Sequence, residues 1–398
     1  MTRTLTAVAL ALAACTGSSP GVDPPPTTEA AGSTTVVTED VELPERLAAV
    51  TGRWATDFTT RSIDLSELRV GIQAPDPRDR IPPLDDPPFE SVVDAAEWLE
   101  DPEPGVLLEL EGDARFYPLR ILTRHEIVNH DVDGRPVTVT YCPLCNTALA
   151  FDPVVGGERL RFGVSGLLRN SDLVMWDDKT QSLWQQITGK AIVGSLTGTT
   201  LDLIPSAIVA WQDFAAEHPA GLVLDRDTGF GIAYSANPYV GYSSRPRPFP
   251  GFFDGEIDER FPALERVVGV SIGDVHTAYP FSLLREIRAV NDVVGGTPLT
   301  VFWGARDTAD ALDDARIADG RAIGTGVAYL STVDGDVLTF RPHGDDRFVD
   351  DQTGTIWNLF GRALDGLLDG RRLEVATHRN EFWFAWQAFF PDGRVWEG

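Results

Sequence analysis

The string Tyr141-Cys142-Pro143-Leu144-Cys145-Asn146 carries the most chemistry in the chain. Two thiols at i and i+3 around a tight turn can converge on one ion, the knuckle geometry of zinc–thiolate sites. The same spacing can close a structural disulfide, or form a redox pair in which Cys142 is the attacking thiol. A thioredoxin-type pair wants a helix beginning at the motif, whereas Thr147-Ala148-Leu149-Ala150-Phe151 reads as a strand, which tells against an oxidoreductase. There is no second Cys-x-x-Cys, so further ligands must be histidine or carboxylate. In Arg124-His125-Glu126-Ile127-Val128-Asn129-His130 the imidazoles are five positions apart, about 140° around a helix, and do not easily share one ion. His125 is the favoured third ligand. The expectation is a mononuclear site of Cys142, Cys145 and His125 for one copper or zinc ion, since two thiolates and an imidazole suit Cu(I) and Zn(II). The thiol–disulfide protein and the non-catalytic surface or binding module stapled by a disulfide stand as alternatives.

Other strings say less. Gly163-Val164-Ser165-Gly166 is not the Gly-x-Ser-x-Gly elbow, and neither a P-loop nor a Gly-x-Gly-x-x-Gly after a strand occurs, so no nucleotide cofactor is expected. Asn170-Ser171-Asp172 reads as a turn or cap. Trp176, Trp184, Trp211, Trp357, Trp383 and Trp386 could line a sugar platform, but those that recur in the repeat described below read as core.

The elements that must position these residues lie in a chain of 398 residues, 43% hydrophobic and 23% charged, which is enough to bury a core. Its net charge of −27 repels phosphate backbones, which excludes general nucleic-acid binding. Arg3 followed by the apolar run Leu5 to Ala14 has the make-up of a signal peptide, and Leu12-Ala13-Ala14-Cys15 resembles the bacterial lipobox. The reading is a lipoprotein signal peptide over residues 1–14, lipidation at Cys15, and a disordered Pro/Thr/Ser tether over 15–44. The membrane, reached through that lipid, is then an expected partner, and the body sits on the outer face of the cell membrane. Cys142 and Cys145 remain as the two thiols of an exported protein, where thiols oxidise unless a metal or a catalytic cycle holds them.

The body matches itself. Tyr117-Pro118, Asn129 and Val137-Thr138-Val139 correspond to Tyr279-Pro280, Asn291 and Leu299-Thr300-Val301, all 162 positions later. Gly194, Gly198, Leu201, Trp211, Phe214 and Pro219 correspond to Gly366, Gly370, Leu373, Trp383, Trp386 and Pro391, all 172 positions later. A period this long indicates duplication of a whole domain rather than a solenoid. The expected fold is strand-rich α+β: an irregular lead-in over 45–104, a first unit over 105–228, a connector over 229–266 and a second unit over 267–398, each unit ending in a helix. Ala207 to His218 supplies that helix in the first unit, on the spacing of Ile208, Trp211, Phe214 and Ala215. At the same offset His125, Cys142 and Cys145 become Ile287, Gly304 and Asp307, and His378, which maps to Ser206, occurs in the second unit alone. A trio needed only to build the fold should appear twice, so its presence in one unit points to a task beyond folding.

The strings His125-Glu126-Ile127-Val128-Asn129, Tyr141-Cys142-Pro143-Leu144-Cys145, Ser165-Gly166-Leu167-Leu168-Arg169-Asn170-Ser171-Asp172 and Ser182-Leu183-Trp184, with the closing Phe382-Trp383-Phe384-Ala385-Trp386, resemble the signature of domain of unknown function 3179. The resemblance covers roughly residues 100–398. It implies membership in a family of exported bacterial and archaeal proteins and a two-copy body, and it implies no activity.

Overall fold

Pairs of left-handed residues set the hairpins. Strand β1 (Pro104–Leu110) turns into β2 (Asp113–Pro118) at Glu111-Gly112, with φ of 51° and 91°. β3 (Ile127–Val132) turns into β4 (Arg135–Cys142) at Asp133-Gly134, with φ of 48° and 75°. Two consecutive residues at positive φ make the type I′ turn, whose twist matches that of paired strands. Between the two hairpins α1 (Leu119–His125) buries Leu119, Ile121 and Leu122. Antiparallel β5 (Thr147–Phe151), β6 (Phe162–Arg169), β7 (Asp172–Asp177) and β8 (Leu183–Gln185) follow, then β9 (Ser206–Ala210) and α2 (Trp211–Glu217).

The same order returns. β10 (Arg266–Ile272), β11 (Val275–Pro280), α3 (Phe281–Ile287), β12 (Ala289–Val294) and β13 (Thr297–Gly304) each begin 162 positions after β1, β2, α1, β3 and β4. β14 (Thr325–Leu330), β15 (Phe340–Pro342), β16 (Arg347–Asp350) and β17 (Ile356–Asn358) follow, and then β18 (His378–Phe382) and α4 (Trp383–Phe389), 172 positions after β9 and α2. Side-chain roles recur as well. Asn129 brackets the backbone of Phe162, and Asn291 that of Phe340. The Trp184 indole donates to Asp177 at 3.0 Å and the Trp357 indole to Asp350 at 3.0 Å. The expected strand-rich α+β architecture is thus what the chain adopts.

The computed structural model describes residues 35–305 and 308–398. The signal segment, Cys15, most of the tether and Asp307 lie outside the described residues. Three expectations need correction. Ala207–Ala210 is strand, not helix: Ser206–Ala210 pairs antiparallel with Pro104–Leu108, and the helix begins only at Trp211. The β-branched Ile208 and Val209 suit the pairing, and neighbouring strands outweigh the 3.6-residue pattern. The helix is not the last element of either half, because Leu222–Leu224 adds parallel to β2 and Arg394–Val395 parallel to β11. Lastly, the tether is not unstructured throughout: Val37–Thr38 pairs with Thr60–Arg61.

One hydrophobic core spans both halves. Val106, Tyr117, Val139, Cys142 and Cys145 share it with Tyr242 of the connector and with Leu312, Phe382 and Phe384 of the second half. Trp184, Trp211, Trp357, Trp383 and Trp386 are buried, which removes them from any sugar platform.

Candidate metal centre

Cys142 ends β4, pairs with Thr147 across the hairpin, and leaves residues 143–146 as the turn, closed by Asn146 at φ 55°. The two sulfurs are free thiols 3.6 Å apart and buried. A second hairpin meets them. Asn170 and Ser171, at φ 49° and 64°, form the tight tip between β6 and β7. That tip presents the Ser171 carbonyl 3.2 Å from Cys145 Sγ and 3.8 Å from Cys142 Sγ, and brings Asp172 Oδ1 to 3.4 Å from Cys145 Sγ. Gln185 Nε2 and the Ile187 amide both donate to Asp172 Oδ2, at 2.5 and 3.0 Å, so the other carboxylate oxygen stays aimed at the sulfurs. One ligand atom from each of Cys142, Cys145 and Asp172 falls within 4.8 Å of the others.

These spacings fit a shared ion. Two thiolates bound tetrahedrally at ~2.3 Å stand about 3.7 Å apart, and a thiolate and a carboxylate oxygen about 3.5 Å apart. A bonded disulfide would require ~2.0 Å.

The electrostatics ask for a cation. Burial pushes the Cys142 and Cys145 thiols up, Cys145 well above its ordinary value, and the Asp172 charge adds to both. Burial also raises Asp172 to about 6. Glu126, buried just past the end of α1 in a left-handed backbone at φ 59°, is raised to about 8 by burial and by Asp172. The two thiols and the Glu126 carboxyl are therefore held toward their neutral forms, the buried Asp172 charge carries a desolvation cost, and a positive ion would relieve both.

His125 does not join the cluster, which corrects the ligand set expected from the sequence. The ring is fully buried, its Nδ1 donates to the Pro82 carbonyl at 2.6 Å, and its Nε2 meets the Tyr234 hydroxyl at 2.6 Å. Both nitrogens are thereby engaged away from the thiols. His130 is held by the Tyr117 hydroxyl at 2.7 Å, and His378 Nδ1 by the Ala376 carbonyl at 2.8 Å. Asp172 is the third group of the cluster, a residue that the sequence pattern alone reads only as part of a turn or cap. The signal for Asp172 lay in Asn170-Ser171, a pair that tolerates left-handed backbone and marks a hairpin tip.

The second half closes the corresponding place without these groups. At Gly304, the counterpart of Cys142, an added Cβ would stand 2.7 Å from Leu359. Arg288, the counterpart of Glu126, keeps the left-handed backbone at φ 65° but carries the opposite charge, and donates to the Gly344 carbonyl. At this place the two halves share backbone and differ in side-chain chemistry.

Fold and site together define a strand-rich α+β protein with a buried thiol–carboxylate centre in its first half. The chain belongs to the family described as Protein of unknown function (DUF3179), which matches residues 78–393. No curated protein and no solved structure matches it.

Proposed function

We propose that this chain is an exported metalloprotein that binds one ion through Cys142, Cys145 and Asp172. The observation that carries the reading is the separation of the three ligand atoms, 3.6 Å between sulfurs and 3.4 Å from Cys145 Sγ to Asp172 Oδ1. A hard oxygen donor beside two thiolates favours zinc over Cu(I). Three protein ligands leave a fourth position for water or substrate, the arrangement of catalytic zinc, and the Glu126 carboxyl lies close enough to act electrostatically on Asp172 and Cys142. Anchoring through a lipid on Cys15 belongs to the same proposal. No helix among the described residues is long and apolar enough to cross a membrane. Duplication of one ancestral unit belongs to it too, supported by the constant 162-position offset of five successive elements.

Elemental analysis of the full chain, extracted in detergent without chelator, tests the reading. Near-stoichiometric zinc or copper that disappears in Cys142→Ser and Asp172→Asn supports it. Absence of metal with no free thiols in the wild type refutes it.

A second reading rests on the same pair being free and adjacent, with Asp172 Oδ1 3.4 Å from Cys145 Sγ to receive a proton. In it Cys142 attacks a disulfide substrate and releases one thiolate. Cys145 then displaces the second, leaving a Cys142–Cys145 disulfide, and the two protons of the original thiols pass to the leaving sulfurs. Reversible loss of two thiols under mild oxidant, in a protein carrying no metal, would select it.

A further inference from the structure

Two carbonyls of the C-P-L-C turn accept hydrogen bonds from outside the first half, and that of Leu144 takes its bond from a side-chain hydroxyl. Tyr242, in the connector, donates its hydroxyl to the Leu144 carbonyl at 2.8 Å. The Phe382 amide, at the end of β18, donates to the Cys145 carbonyl at 2.8 Å. Tyr242 is 1% exposed, and its ring is stacked on Phe249 at 4.6 Å and lies edge-on to Phe382 at 6.1 Å. Its neighbour Ser243 is locked in turn, donating to the buried Asp310 at 2.7 Å. Asp310 also takes Arg266 at 2.6 Å and Arg321 at 2.9 Å. Asp310 lies in residues 308–324, which precede β14 in the second half, whereas four residues separate β4 from β5 in the first. The connector is therefore pinned on one side to the cysteine turn and on the other to that segment of the second half.

Building on the metal reading, we infer that Tyr242 is the positioning residue of the centre. Its hydroxyl fixes the Leu144 peptide and with it the angle at which Cys142 and Cys145 present their sulfurs, so that the ligand geometry of the first half is set from the connector and the second half. A freely twisting turn would spread the sulfurs over many separations. One donor on the peptide between them removes that freedom before the ion arrives, which is how groups behind metal ligands raise affinity.

Tyr242→Phe in the full chain removes the hydroxyl and keeps the ring on Phe249. Zinc affinity is read by chelator competition, and ligand geometry by the thiolate-to-cobalt and d–d absorption bands of the Co(II)-substituted protein. Phe249→Leu serves as a control that loosens the same packing and leaves the hydrogen bond. The expected result is about 10–100-fold weaker zinc binding and shifted cobalt bands in Tyr242→Phe alone. Wild-type affinity and bands in Tyr242→Phe would overturn the inference, as would an equal loss in Phe249→Leu, because affinity would then follow general stability. If the wild type takes up neither ion, the metal reading itself fails and this inference falls with it.

Discussion

Replacing Asp172 by Asn should make the metal-free protein more stable at alkaline pH and destroy its metal site at the same time. The carboxyl is fully buried and its folded-state pKa stands at about 6, against an ordinary 3.8. A group whose pKa is raised on folding contributes stability that is fully present below its unfolded pKa and is lost as the pH rises through its folded pKa. At pH 8 the wild type thus carries the whole cost of a desolvated charge, and near pH 4 almost none of it. A shift of roughly two units at ~1.36 kcal/mol each sets that cost at about 3 kcal/mol. Asn keeps the shape and one oxygen for the Gln185 and Ile187 donors and cannot ionise. Removing the charge also relieves Glu126, which Asp172 pushes up, and so acts in the same direction. The assay is urea denaturation of chelator-treated wild type and Asp172→Asn at pH 4 and pH 8, with zinc uptake measured on the same samples. The stability gap should move in favour of the variant by up to about 3 kcal/mol between the two pH values, while zinc uptake is lost. A gap that does not change with pH, or zinc uptake that survives the substitution, would refute the argument that this cluster is built for a cation.

Three further outcomes are expected. His130 and His378 are buried with folded-state pKa values of about 4, below 6.5, so their contribution is intact above pH 6.5 and is lost as the pH falls to 4. Each should cost about 3 kcal/mol across that window, and His378→Gln should flatten its share in urea melts run at pH 7 and pH 4.5. Asn129→Ala should cost about 3 kcal/mol, more than Asn291→Ala, because it strands the buried Thr138 hydroxyl as well as both backbone groups of Phe162. Urea midpoints decide the order. Cys15→Ser should move the chain from the membrane fraction to the soluble fraction of the producing cell, read by fractionation and immunoblot.

The adjacent pair Cys142 and Cys145 and the strand-rich build are legible in the sequence alone. The Cys142 and Cys145 spacing and the strand after it are local facts, and local rules of backbone conformation read them correctly. Internal matching of Tyr117, Asn129 and Trp211 with Tyr279, Asn291 and Trp383 supplied the offsets at which elements recur. Reading failed where a distant strand competed with a local pattern: Ser206–Ala210 carries apolar residues at helical spacing, yet it lies against Pro104–Leu108. It failed again at the residue that meets the two thiols. His125 stands seventeen positions before Cys142 and Asp172 thirty after it, but a turn at the end of α1 directs the imidazole to Pro82 and Tyr234, while the Asn170-Ser171 tip delivers the carboxylate to the thiols. Residue type and spacing determine which side chains can bind an ion. Which of them meet depends on how separate hairpins pack, and that is decided by burial of a core shared between both halves, a property no single stretch of the chain contains.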